Sequence, residues 1–416
     1  MNAIIHQGTR ELQEVIREAY ARVAAEEPRP AFSLAEYESR RLRLQAEAAG
    51  AGIDLLVLSS PDAMCWLHGY QSRWYRAQSS LRWPPFQCTV MHVESGAIAV
   101  YDVEHHHYLL RRTSVAEDLR LATDDDGTAV LDFTMADLKA RGWLSGRVGL
   151  EMHSHVPNRA TSEVVEAAFV RHGCHVVDAS VQTRAVRQIK SAAEIEMIER
   201  AAAVCDAGLV SLRDQVVPGM TEKQAWALMV SAMAEAGGEP AALHESVVVG
   251  PIEMGHAYSS DRVIERGDVL CADPCGVVNR YHANIERWFV VGQEPSDELY
   301  RLAAIEAEAF RLLCAGAADG TAVNDVTERI EAHLRDAGMW GLHNWNGGYE
   351  MGLSFPPDWV GEWTFTVGES TDDVFRKNVV TNYESIVLYP MIDTVVFGST
   401  GARTLSRLPL DVERAG

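Results

Sequence analysis

Positive charge is scarce in this chain. Over 416 residues, 37 lysines and arginines face 59 aspartates and glutamates, a formal charge of −22. An acidic surface of that size repels phosphate backbones and anionic headgroups, so neither nucleic acid nor membrane is an expected partner. No run of 18 or more apolar residues occurs, so no membrane-spanning helix is expected. The opening MNAIIHQGTRELQEV has no basic segment followed by an apolar one, so no secretory leader is expected. Cysteines are few, seven in all, odd in number and scattered. That suits reduced thiols in a cytoplasmic protein better than a disulfide framework. What remains is an ordinary globular composition, 47% apolar, on a chain long enough for two domains.

The pattern of elements changes near residue 185. Before it, the SLAEYESRRLRLQAEAA segment (33–49) reads as a helix with Ser33 as N-cap. Strand-like runs follow at 53–60, 86–93, 97–103, 147–152 and 175–180, with a helix at 162–173. Strands alternating with helices predict an α/β domain. After it, 191–212 is a long amphipathic helix with Ile198, Ala202, Cys205, Leu209 and Leu212 at helical spacing. A second helix starts at the capping box opened by Thr221 and ends at Gly237-Gly238. A polar hairpin, two helices (297–315 and 323–337) and a strand-rich tail complete the chain. The order helix–helix–hairpin, then helix–helix–strands, predicts a pseudo-duplicated α+β domain. The expected organisation is an extension over 1–32, an α/β domain over 33–185 and an α+β domain over 186–416.

The hairpin carries the chemistry. Side chains two apart share a strand face. Cys271, Asp273 and Cys275 therefore share a face in VLCADPCGVV, and His282, Asn284 and Glu286 do so in RYHANIERW. So many buried polar groups in one hairpin call for a task. Cys271 and Cys275 are read as small core residues rather than zinc ligands or nucleophiles, because their spacing is atypical and Pro274 interrupts the strand. The HHH run at 105–107 is read as solvated, since adjacent residues point in different directions.

Three segments carry a resemblance: RAVRQIKSAAEIEMIERAA, the hairpin, and GYEMGL at 348–353. Together they resemble the pita-bread family, whose branches include aminopeptidase P, prolidase, creatinase and ectoine hydrolase. The resemblance covers about residues 33–400. It implies a creatinase-like N-terminal α/β domain and a catalytic domain with helices over a curved antiparallel sheet. In the peptidases of this family two Asp, one His and two Glu hold a pair of metals. The matching positions here are Asp273, Asn284, Tyr349, Tyr389 and a residue in GARTLS (401–406), so one ligand of five survives. A metal-free site with no cofactor is expected. The N-I-E-R segment resembles creatinase, and R-Y-H (280–282) with FPPDW (355–359) resembles ectoine hydrolase.

The resemblance implies His256 as general acid/base, a role that suits an imidazole titrating near neutrality, with Glu286 as its catalytic partner on the cleft face. Asp273, His282, Asn284, Tyr349 and Tyr389 are expected substrate contacts. Arg73, Arg76 and Arg82 are expected to include one guanidinium for a substrate carboxylate, delivered by a loop at a homodimer interface. The expected function is metal-independent hydrolysis of a non-peptide C–N bond in a small zwitterion. Three alternatives stand beside it: non-hydrolytic chemistry on the same pocket, a metal-dependent Xaa-Pro-type peptidase with rearranged ligands, and a non-catalytic binding module.

Overall fold

The structure, a computed structural model, describes residues 10–73, 75, 86–123, 127–254, 256–342 and 345–416. The chain divides into two compact units, residues 1–187 and 188–416.

The first unit is built on a six-stranded sheet in the order β4-β3-β2-β1-β5-β6. Its strands are β1 (Leu55–Leu58), β2 (Cys88–His92), β3 (Ala97–Val103), β4 (Leu119–Ala122), β5 (Arg147–Leu150) and β6 (His175–Asp178). The β1–β2 and β2–β3 pairs are antiparallel, and β3–β4, β1–β5 and β5–β6 are parallel. Helices α1 (Arg10–Ala24), α2 (Leu34–Gly50), α3 (Pro61–His68), α4 (His107–Thr113), α5 (Gly127–Ala140), α6 (Arg159–Arg171) and α7 (Ser180–Gln188) accompany it. Ser33 caps α2 by accepting from the Glu36 amide. Leu55, Val90, Tyr101, Leu138, Val148 and Phe169 close the core. The HHH run is not a loop: it spans the end of a 3-10 turn and the start of α4, and the His106 Nδ1 lies 2.8 Å from Asp102.

In the second unit, α8 (Ala192–Gln215) starts at a capping box made by Ser191 and Glu194, and α9 (Glu222–Glu235) at one made by Thr221 and Gln224. Strands β7 (Ser246–Val249), β8 (Val269–Asp273), β9 (Cys275–Val278), β10 (Tyr281–Asn284) and β11 (Arg287–Val291) follow. The expected hairpin is thus broken in both strands. Pro274 cannot donate to a ladder, so β9 and β10 form their own two-stranded ribbon. β8 and β11 belong instead to a four-stranded sheet in the order β17 (Glu413–Ala415), β11, β8, β7. The ribbon turns at Asn279 and Arg280, both with positive φ, the conformation of a tight two-residue hairpin. The Glu239 carboxylate holds that turn by accepting from both backbone amides.

The second half repeats the plan with α10 (Asp297–Gly316), α11 (Val323–Asp336) and β12 (Trp345–Glu350), β13 (Trp363–Thr366), β14 (Val380–Ile386), β15 (Pro390–Phe397) and β16 (Ala402–Thr404). These strands form a five-stranded antiparallel sheet, β13-β12-β14-β15-β16. The last strand, β17 (Glu413–Ala415), returns to pair with β11 in the first half. α8 lies over β9 and β10, and α10 over β14 to β16. Gly276 is what lets α8 approach so closely: a Cβ there would overlap the Ala201 carbonyl. Trp288, Phe310, Leu313, Ile330, Phe365 and Tyr383 are buried between these layers.

Candidate functional site

Cross-strand pairing sets one polar row across the large sheet. Trp363 of β13 pairs with Tyr349 of β12, Tyr349 with Asn382 of β14, and Asn382 with Thr394 of β15. Paired residues share a face. The end of β10 meets this row through Asn284, whose amide N–H donates to the Thr394 hydroxyl at 2.9 Å.

The hydrogen bonds fix the polarity of the row. Asn284 Nδ2 donates to the Pro274 carbonyl at 3.0 Å and to Asp273 Oδ1 at 2.5 Å. A carbonyl only accepts, so this amide can point only one way. Its Oδ1 therefore accepts from Asn382 Nδ2 at 2.8 Å, and Asn382 Nδ2 also donates to the Tyr349 hydroxyl at 2.9 Å. That leaves the Tyr349 proton for Glu384, its further hydrogen-bond partner. Donation runs outward from Asn382 and ends on a carboxyl group at each side, Asp273 and Glu384.

The carboxyl groups crowd one another. Burial pushes Asp273 up to about 6, and the charge of Glu245 adds to the rise; Asn284 and the nearby His256 oppose it. Burial pushes Glu384 up to about 7, with donors on Tyr349 and Asn382 opposing and Asp273 adding. Glu286 lies deeper, 4% exposed. Burial and then the charges of Asp273, Glu384 and Glu306 hold it well above the usual carboxylate range. Glu306 on α10 is also raised by burial, although the Val387 amide donates to it at 3.0 Å. In a cluster of this kind each ionised carboxylate makes its neighbours harder to ionise, and a cation among them would relieve that cost.

Of the expected site residues, Asp273, Asn284, Tyr349 and Glu286 come together here. The alternative of a Glu286–Arg287 ion pair is not seen. Arg287 turns to Asp393, 2.7 Å away and equally buried, and to the Ile392 and Pro409 carbonyls. His256 stands exposed in the loop after a 3-10 turn at Ile252–Met254, and its charge is felt at Asp273.

Two expectations are corrected. His282 is a structural histidine. Its Nε2 accepts from the Ala242 amide at 3.1 Å and its Nδ1 lies 2.9 Å from the Arg280 carbonyl. Both nitrogens are spent on backbone, and burial lowers its pKa to about 3. Tyr389 falls in the turn between β14 and β15, with its ring 5.0 Å from that of Trp288 on the core side. The residues that close the network in its place are Asn382 and Thr394. Thr404 and Leu405, candidates for the last ligand position, lie beyond it; the Leu405 amide donates to the Thr394 carbonyl. Cys271 and Cys275 are buried, and the Cys271 thiol faces the Gly250 carbonyl at 3.3 Å. Arg73 is exposed on the first unit, and Arg76 and Arg82 lie outside the described residues.

Sequence reasoning missed Asn382, Glu384, Thr394 and Glu245. The alternation in VTNYES could have paired Asn382 with Glu384 on one face. Their register against β12 could not have been read from the letters. R-Y-H and FPPDW prove to be one structural unit. The Arg280 guanidinium lies 5.2 Å from the Phe355 ring centroid, and the His282 and Trp359 rings are 6.4 Å apart.

Comparison with known proteins agrees with this architecture. The profile of metallopeptidase family M24 matches residues 196–403. Ectoine hydrolase of Halomonas elongata is 24% identical over 406 residues, covering 91% of this chain and 97% of that protein. An Xaa-Pro dipeptidase of Pyrococcus horikoshii is 25% identical over 271 residues, 64% of this chain and 74% of that one. The solved X-Pro aminopeptidase of Thermotoga maritima shares the fold with a TM-score of 0.73 at 20% identity, over 90% of this chain and 99% of that one. The fold is therefore an α/β unit followed by a pita-bread unit.

A metallopeptidase fold implies metal ions, and the residues present do not fit a divalent pair. Such ions need several anionic oxygens. The row offers two amides, a phenol and a hydroxyl, with Asn284 N–H already aimed at Asp273. Among the described residues, no group of three or more His, Cys, Asp or Glu side chains is placed to hold a metal.

Proposed function

This chain belongs to metallopeptidase family M24, a family of hydrolases, and within it we propose a metal-independent enzyme that hydrolyses a non-peptide C–N bond in a small zwitterion. The observation that carries this reading is the polarity of the Asn382 network, which donates to carboxyl groups where a metal centre would need anionic acceptors turned inward. The full-length likeness to an ectoine hydrolase supports the substrate class, an amidine, guanidine or cyclic amidine that also bears a carboxylate.

In this scheme the amidine-type cation favours the ionised form of Asp273 and Glu286 as it enters, any proton they release passing to water, because a neighbouring cation favours the charged carboxylate. The paired carboxylates then hold the C–N group and keep its carbon electron-poor. His256 takes a proton from water as the water oxygen attacks that carbon. It returns the proton to the nitrogen as the C–N bond breaks, so acid and base are one residue. The tetrahedral intermediate draws the Tyr349 hydroxyl from Glu384 to donate to its oxygen. The substrate carboxylate calls for a guanidinium partner, for which Arg73, Arg76 and Arg82 remain the candidates, and the working form is a homodimer.

The test is turnover of ectoine-, creatine- and amidine-like zwitterions in ¹⁸O-labelled water, with and without a strong chelator. One labelled oxygen per product, unaffected by chelation and abolished by His256→Ala, is the expected result. Product without label points to non-hydrolytic chemistry. Activity lost on chelation and restored by manganese or cobalt makes the enzyme a metallopeptidase relative with rearranged ligands, and full turnover by His256→Ala removes the acid/base assignment.

A further inference from the structure

The second unit also holds a cavity at the β13 edge of its five-stranded sheet. Its volume is about 420 Å³, within the usual range for a small-molecule site. Val323, Phe375, Val379 and Phe397 form its floor, and all four belong to the core between the sheet and the helices. In that core Tyr383 packs on Phe310 of α10, with ring centroids 4.5 Å apart. Neighbours along a strand point to opposite faces, so Asn382 and Glu384 face the other way. The cavity floor therefore lies on the helix side of the sheet, away from the carboxyl groups of the polar row.

The floor residues are buried already, so a ligand would meet the walls. These are built in advance. The Val323 amide donates to the Asp373 carbonyl at 3.0 Å, the Phe375 amide to the Thr321 carbonyl at 2.9 Å, and the Gly320 amide to the Phe375 carbonyl at 2.8 Å. Those bonds stitch the wall segment 372–376 to the chain entering α11. A wall ordered beforehand loses little freedom when a ligand binds. Its charges are not spent on one another. The Arg376 guanidinium donates to the Gln188 side-chain oxygen and, among the described residues, forms no salt bridge. Asp373 accepts from the Thr371 hydroxyl at 2.8 Å, and Asp372 stands beside it. Trp363 supplies an aromatic wall with 65% of its surface exposed.

One guanidinium, two carboxylates and an open indole suit a ligand with an anionic end, a cationic end and a flat apolar body. A carboxylate matches the guanidinium fork, an ammonium group matches the aspartates, and an aromatic ring packs on the indole. We propose that this cavity is a second ligand site, for a free aromatic α-amino acid. Trp363 also lies edge-on to Tyr349, with centroids 5.8 Å apart, so an occupant would press on a residue of the polar row.

The test needs no turnover. L-Phenylalanine is titrated by calorimetry against wild type, Arg376→Met, the double variant Asp372→Asn with Asp373→Asn, Trp363→Leu and Glu286→Gln, with thermal melts confirming that each folds. L-Phenylalaninamide lacks the carboxylate and N-acetyl-L-phenylalanine lacks the ammonium group. The zwitterion should bind with a Kd below about 1 mM and about tenfold more tightly than either analogue. Arg376→Met and the double Asp variant should each lose about tenfold, and Trp363→Leu about threefold. Glu286→Gln, in the carboxyl cluster, should leave the affinity unchanged. No saturable binding up to about 10 mM overturns the proposal, as does equal binding of the three probes or unchanged affinity in folded Arg376→Met. Binding that Glu286→Gln abolishes and Arg376→Met spares assigns the amino acid to the polar row instead, and also overturns it.

Discussion

At the scale of single residues, the site is governed by which groups donate. Asn284 is the clearest case, because its Nδ2 faces a carbonyl and a carboxylate at once. Asn284→Asp would set an acceptor against both. The variant should be destabilised by about 2–3 kcal/mol, read as a lower urea midpoint with unchanged m-value. Glu384 makes a pH prediction. Its pKa rises from 4.5 to about 7 on folding, so between those values the native state holds a proton that the unfolded chain has released. Stability from this group is fully present below about pH 4.5 and is lost as pH rises through about 7. Wild type should lose about 3 kcal/mol relative to Glu384→Gln across that window, seen in paired denaturation curves at pH 4.5 and 8. Such effects could not be read from the letters. Asp273 and Glu286 were visible as unusual hairpin residues, but the company they keep depends on strands more than a hundred residues away.

At the scale of elements, local signals were legible and pairings were not. The capping boxes at Ser191 and Thr221 are written within four residues, and the helices start where those boxes place them. The β14–β15 register is written nowhere locally, since a strand slipped by a residue reverses its faces. Counting along a resemblance therefore put Tyr389 in the site, whereas the turn at 387–389 carries it to the core and leaves Asn382 and Thr394 opposite Asn284. Pro274 was recognised as a disturbance, but not that it hands β8 and β9 to different sheets. Two element-scale predictions follow from the packing. Gly276→Ala should push α8 off the β9–β10 ribbon and lower stability by about 1–3 kcal/mol, measured as a fall in Tm. Asp393→Asn should strand the buried Arg287 guanidinium and lower stability by about 3–5 kcal/mol. Replacing both partners with apolar residues of similar volume should be far milder, so a double-mutant cycle separates the pair from its burial.

For the whole molecule, the fold of a metallopeptidase family carries its helices and antiparallel sheet, with one carboxyl group, Asp273, at the end of the Asn284 network. Between Asp273 and Glu384 the network runs through the neutral side chains of Asn284, Asn382 and Tyr349. The acidic composition and the two-part plan were plain from the sequence. The carboxyl cluster of Asp273, Glu286, Glu306 and Glu384 was not, because it assembles only when both halves of the second unit close on each other. The measurement that bears most directly on the central claim is metal content. Purified, untagged protein is assayed by elemental mass spectrometry before and after soaking in manganese, iron, cobalt and zinc. The account predicts less than about a tenth of an equivalent per chain of each metal. One or two tightly held equivalents would contradict it.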